Sequence, residues 1–141
     1  MEFPEKYIKK GKFKLHSGEI SDTFYDVNLL LTDKRKLKEI KNFIRFYLLT
    51  QKYLMRTFVG IATGGAIIAS HFDNFAMIKD GELKGFVKEP YCIIDDVVTT
   101  ENSLKEAIQI IGHKPKYIFV VVDRRKSKTL NITSMFTIKG E

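Results

Sequence analysis

The stretch Tyr91-Cys92-Ile93-Ile94-Asp95-Asp96-Val97-Val98-Thr99-Thr100-Glu101-Asn102-Ser103-Leu104-Lys105-Glu106-Ala107-Ile108-Gln109-Ile110-Ile111 decides the fold. It reads as a buried strand, an acidic and hydroxyl-rich turn, and a helix. Tyr91 to Ile94 is a short apolar run, and the carboxylates of Asp95 and Asp96 follow where the end of a parallel strand opens onto a ligand crevice. Leu104, Ala107, Ile108 and Ile111 then recur at helical spacing; Ser103 with Glu106 has the capping-box spacing, and Gly112 supplies a stop. The first N–H groups of such a helix lack partners within it and carry the positive end of its dipole, so Thr99 to Ser103 is suited to hold a phosphate. Two carboxylates beside a phosphate repel it unless they serve ribose hydroxyls or a magnesium ion, and the pattern therefore suggests a sugar phosphate with metal. Taken alone, the same residues also suit an ordinary polar turn between a strand and a helix.

Ile93-Ile94-Asp95-Asp96-Val97-Val98-Thr99-Thr100-Glu101-Asn102-Ser103 resembles the phosphoribosyl-pyrophosphate (PRPP) motif of type I phosphoribosyltransferases, in which apolar residues and two acids precede Val-x-Thr-Thr-Gly-x-Ser. Glu101 departs from it, standing where the family has glycine. A carboxylate there either lies close to the 5′-phosphate and opposes it, with a side chain that limits how the backbone wraps the ligand, or points away from the phosphate and favours the helix dipole as a first-turn acid.

Composition fits one soluble domain over residues 1–141, with a hood and first strands at 1–31 and a core at 32–141. Hydrophobic residues make up 44% and charged residues 29%, and no apolar run reaches the ~18 residues of a membrane span, so no membrane partner is expected. The first residues show no signal-peptide pattern, and the single cysteine, Cys92, sits in an apolar run that suits a structural thiol; a cytoplasmic location is the expectation. A net charge of +7 fits a nucleic-acid surface or an anionic small substrate. Lys and Arg are spread along the whole chain without a nucleic-acid motif, so nucleic acid is not expected as a partner. The three histidines have no zinc-site spacing, and neither a P-loop nor a Gly-x-Gly-x-x-Gly turn is present.

In chain order, Lys12 to Leu15 alternates, Ser17-Gly18 signals a turn, and Thr23 to Leu31 is rich in strand formers, which predicts an antiparallel pair. Gly11 to Asp26 resembles the N-terminal hood of orotate phosphoribosyltransferases, Gly-x-Phe-x-Leu-x-Ser-Gly-x-x-Ser followed by an aromatic pair. The resemblance implies that Phe24 and Tyr25 lie against the base, with His16 where the family has a lysine. Asp33 to Thr50 has the apolar stripe of a helix, Thr57 to Ala62 reads as a central strand, and Ala66 to His71 as a short helical segment. Between them, Thr63-Gly64-Gly65 resembles the family's pyrophosphate loop, where backbone amides hold the diphosphate. Phe75 to Ile78 reads as a strand. Lys79 matches a catalytic lysine of the family, but the segment after it is too short for the family's mobile lid. Tyr117 to Val122 is a strand ending in Asp123-Arg124, and the resemblance gives Arg124 the carboxylate of orotate. Ile132 to Ile138 reads as an edge strand.

The resemblance implies an α/β fold with a central, mainly parallel sheet of four or five strands flanked by helices, under a small N-terminal hood. It further implies Mg²⁺-dependent transfer of ribose 5-phosphate from PRPP to orotate by a short, minimal member that forms a homodimer. Asp95 and Asp96 would hold the ribose and help place the metal; Thr63, Gly64, Gly65, Lys79 and Val97 to Ser103 would bind PRPP; His16, Phe24, Tyr25, Thr99 and Arg124 would bind orotate. A second reading, a PRPP- or nucleotide-binding protein with little or no transferase activity, rests on Glu101, His16 and the missing lid.

Overall fold

Two sheets organise residues 2–139, the portion that the computed structural model describes. The smaller sheet is the hood: β1 (Ile8–Lys14) and β2 (Ile20–Tyr25) pair antiparallel, with an irregularity between Lys10 and Phe13. Strand-forming residues continue past Tyr25, yet the chain turns helical there. The Asp26 carboxylate accepts the N–H of Leu29 at 3.0 Å and starts α1 (Val27–Leu31), which buries Val27, Leu30 and Leu31. The strand expected to reach Leu31 therefore ends at Tyr25, because a local cap and a helically spaced apolar face outweigh β propensity.

Asp33 caps the next helix, α2 (Lys34–Thr50), by accepting the N–H of Arg35 at 3.0 Å. Ile40, Ile44 and Leu48 recur every four residues on its buried side, and most of its lysines and arginines face outward. The larger sheet contains β3 (Thr57–Ile61), β4 (Phe75–Lys79), β5 (Glu82–Lys84), β6 (Tyr91–Val98), β7 (Tyr117–Asp123) and β8 (Thr133–Thr137), with α3 (Gly64–Ala69) after β3 and α4 (Asn102–Ile111) after β6. Their order is β5-β4-β3-β6-β7-β8, and all neighbours are parallel except β4 and β5.

Six strands thus stand where four or five were expected. The additional one is β5, joined to β4 by the two-residue turn Asp80-Gly81, both at positive φ (51° and 76°), the conformation that Asp-Gly adopts in tight hairpins. On one face of the sheet Ile94, Phe119 and Val121 meet Ile40, Ile44 and Leu48; on the other, Tyr91, Ile93 and Val120 meet Leu104 and Ala107. Cys92 lies on the first face without solvent exposure, and burial pushes its thiol well above the usual range, as suits a structural thiol.

Two local readings are corrected. Asp95 and Asp96 do not follow the strand but belong to it, since β6 stays paired with β7 through Val98 and Asp123. The capping box is not formed either: Glu101 is the N-cap residue of α4 and makes no side-chain cap bond, while Gly112 ends the helix at φ 89° as expected. The ends of β3, β6 and β7 consequently lie side by side and bring Thr63, the two aspartates and Arg124 to one edge of the sheet.

Candidate functional site

That edge opens onto three clefts that share Thr99: one of about 300 Å³ toward Glu101, Lys105 and Thr129, and two adjoining ones toward the aspartates and the hood. The larger, about 540 Å³, is lined by Thr63, by Asp95 to Thr100, and by Asn102 and Ser103 at the start of α4. A smaller one of about 140 Å³ runs under the hood between Phe24, Tyr25 and Arg124, and His16, Asn28, Asp96, Val97 and Thr99 line both. The residues expected to hold a sugar phosphate and those expected to hold a base therefore face one continuous space.

Glycine packing fixes the floor. A Cβ on Gly65 would run into the carbonyl oxygen of Ile94, and one on Gly60 into that of Gly65, so β3, the start of α3 and β6 approach backbone to backbone. A Cβ on Gly64 would lie 2.7 Å from Asn28 Oδ1 and 2.8 Å from Asp96 Oδ2. Gly64 and Gly65 are thus buried supports for the aspartates, and Thr63 is the member of that loop that lines the cleft.

The two carboxylates differ. Asp95 is only 7% exposed and accepts the N–H of Asp96 at 2.8 Å; burial, with the neighbouring charge of Asp96, pushes its carboxyl well above the usual range. Asp96 is half-buried, accepts the N–H of Val97 at 2.7 Å, and faces both clefts. The acids lining the larger cleft are Asp95, Asp96 and Glu106, and its lining includes no lysine or arginine. A diphosphate ligand would enter such a space only with a cation to offset the repulsion. Among the described residues no group of three His, Cys, Asp or Glu side chains could hold a metal unaided. The donors fit magnesium held by one or two carboxylates and completed by ligand oxygens.

Arg124 follows β7 directly and is 7% exposed. Its Nη2 donates to Ser21 Oγ at 3.2 Å, its Nη1 to the Thr23 carbonyl at 3.3 Å, and its guanidinium lies 4.7 Å from the centre of the Tyr25 ring. Phe24 stacks on Phe13 at 5.5 Å, so one face of each aromatic is already covered. Ser21 was missed in the sequence, where it reads as one more hood hydroxyl; here it is 7% exposed, accepts the N–H of Thr23 at 3.2 Å, and positions Arg124.

Two expected PRPP contacts lie elsewhere. Lys79 is exposed at the end of β4 and is not among the residues lining either cleft; the tight Asp80-Gly81 turn directs the chain back into β5. Glu101 does not oppose a phosphate. Its carboxylate turns to the far side of the loop, is 6% exposed, and accepts Arg125 Nη1 at 2.6 Å, the N–H of Thr129 at 2.8 Å and the N–H of Leu130 at 2.9 Å, with the Thr129 hydroxyl as a further donor. Burial alone would raise its pKa, but these bonds outweigh burial and hold it at about 2. Arg125 in turn binds Asp123 through Nε at 2.9 Å and Nη2 at 2.8 Å.

Against known proteins, no protein-family model matches the chain. An orotate phosphoribosyltransferase of Chlorobium phaeobacteroides is 28% identical over 137 residues, covering 86% of this chain and 70% of that protein. Transcriptional regulator GfcR of Methanococcus maripaludis is 27% identical over 143 residues, covering 85% and 69%. Among solved structures, orotate phosphoribosyltransferase from Aeropyrum pernix superposes with a TM-score of 0.76 at 21% identity, over 94% of this chain and 89% of that one. The chain has the type I phosphoribosyltransferase fold, and in sequence it is similar to the orotate phosphoribosyltransferases.

Proposed function

We propose that the protein transfers ribose 5-phosphate from PRPP to orotate, releasing pyrophosphate and forming orotidine 5′-monophosphate. The observation that carries this reading is the shared wall of the two clefts. Thr99, Asp96 and Val97 face both a carboxylate-lined space ending at a helix N-terminus and a small aromatic pocket containing a buried arginine. In the first, the N–H groups opening α4 would take the 5′-phosphate and Asp96 the ribose hydroxyls. Asp95 and Asp96 would also hold Mg²⁺, which, when bound, offsets the charge of the departing pyrophosphate. In the second, Arg124 would pair with the orotate carboxylate and direct the ring nitrogen at the ribose, where it forms the new bond as the bond to pyrophosphate breaks.

The second reading, PRPP binding with little turnover, draws on the β4–β5 hairpin. Lys79 pairs with Glu82 and Ile78 with Leu83 across that hairpin, so the segment after Lys79 is a two-residue turn between paired strands and not a long loop able to close over the cleft. Similarity to a protein named as a transcriptional regulator is in keeping with it. Pyrophosphate release measured with PRPP, Mg²⁺ and orotate, beside uracil, hypoxanthine and adenine, separates the two. Release with orotate alone supports the transferase; PRPP binding by calorimetry without release from any base supports the binder. Replacing both Asp95 and Asp96 by Asn is expected to abolish PRPP binding or turnover, and an unchanged double variant would reject the site.

A further inference from the structure

Glu101, Arg125, Asp123 and Thr129 form a buried network on the side of the Thr99–Ser103 loop facing away from the larger cleft. Glu101 and Arg125 are 6% and 5% exposed, and the oxygens of Glu101 are taken up by two backbone N–H groups, a hydroxyl, the guanidinium and, at 3.5 Å, Lys105 Nζ. A carboxylate at the start of a helix is ordinarily drawn to the unpaired N–H groups and positive dipole end there. Apart from Lys105, the partners of this one are residues 24 to 29 positions away, and α4 starts without a side-chain cap bond. Two consequences follow. The amides opening α4 are left to face the cleft that Asn102 and Ser103 line, and the loop before them is tied to the segment after β7, whose first residue, Arg124, reaches the smaller pocket.

We infer that Glu101 is a positioning residue: its buried carboxylate latches the phosphate-binding loop to the segment carrying Arg124 and keeps the start of α4 open to the 5′-phosphate. The inference rests on the PRPP-binding reading above and identifies what shapes its phosphate end. It reverses the expectation, drawn from the sequence, of a carboxylate opposing the phosphate, because removing this carboxylate should weaken phosphate binding and not strengthen it.

The test is calorimetric titration of ribose 5-phosphate, and separately of orotate, into the full chain and into Glu101→Gly, Glu101→Gln and Thr129→Val. Glu101→Gly is expected to weaken ribose 5-phosphate about 10-fold or more while changing orotate far less. Glu101→Gln keeps an acceptor for the Thr129 and Leu130 N–H groups and should recover part of that loss. Thr129→Val removes only the hydroxyl partner and should give a smaller, roughly 2- to 5-fold loss, which keeps the idea testable if Glu101→Gly does not fold. Equal or tighter ribose 5-phosphate binding in Glu101→Gly, no loss in folded Thr129→Val, or parallel losses of both ligands with a lowered melting temperature would overturn the latch. Absence of ribose 5-phosphate and PRPP binding by the unaltered protein would instead overturn the functional reading beneath it, and the latch with it.

Discussion

Asp95 illustrates what a binding site costs the fold that holds it. Its carboxyl is held above the ordinary value of 3.8, first by burial and then by the charge of Asp96. An acid whose folded pKa is raised is destabilising when ionised: the penalty is present above the folded pKa and absent below the unfolded one. Asp95→Asn keeps an oxygen for the N–H of Asp96 and removes the charge, so it should stabilise the protein near pH 7 by about 1–3 kcal/mol. That advantage should disappear below pH 3.8, where the carboxyl is protonated in both states. Melting curves of both proteins across this range check the sign, and a variant less stable near pH 7 would contradict it. The pair was legible through the motif that contains it, since two acids after an apolar run, taken alone, also suit an ordinary polar turn. Glu101 was not: apart from Lys105 its partners lie 24 to 29 residues downstream, and a local reading could weigh only the phosphate and the helix dipole.

Among elements, β3, α3 and β6 form a tight joint, where Gly60 and Gly65 let the backbones meet. Gly65→Ala sets a methyl against the Ile94 carbonyl, which cannot move without breaking β6, so stability should fall by roughly 1–3 kcal/mol. Gly64→Ala meets side-chain atoms only, Asn28 Oδ1 at 2.7 Å and Asp96 Cβ and Oδ2 at 2.8 Å, so the strain falls on Asp96. It should therefore cost less stability but displace Asp96 and lower PRPP turnover or binding several-fold more than stability suggests. Urea midpoints beside PRPP titrations distinguish the two variants, and the reverse order would mean that Gly64 supports the fold and not the carboxylate. Most element positions were readable from periodicity, and the errors have local causes. Asp26 caps a helix where β propensity predicts strand, β6 extends through its two acids because β7 pairs with it to Val98, and Asp80-Gly81 is a hairpin signal that was read only as a shortened lid.

For the whole molecule, the question is what joins the hood to the sheet. The β1 strand is largely exposed, whereas β2 buries Ser21 and Thr23, and ties to the core include Ile8 packed on it, Tyr25 edge-on to Phe3 at 5.4 Å, Phe3 against Phe136 at 5.3 Å, and Arg124 bound to Ser21, Thr23 and Tyr25. The order of the motifs made the parallel sheet legible, and the Asp-Arg strand end singled out Arg124, which reaches the hood; what it left unread is Arg125, which anchors the Glu101 network behind it. Because guanidinium donors serve the hood and also line the base pocket, the same residue should hold the hood and select the base. Arg124→Ala is expected to weaken orotate by about 2–4 kcal/mol, since its carboxylate would lose its partner in a largely buried pocket, and to weaken PRPP far less. The same change should speed amide hydrogen exchange across residues 8–25 while leaving β6 and β7 protected, because the core strands owe nothing to this side chain. Equal losses for both ligands would mean that Arg124 does not read the base, and unchanged exchange in the hood would mean that Phe3 and Tyr25 hold it without the arginine.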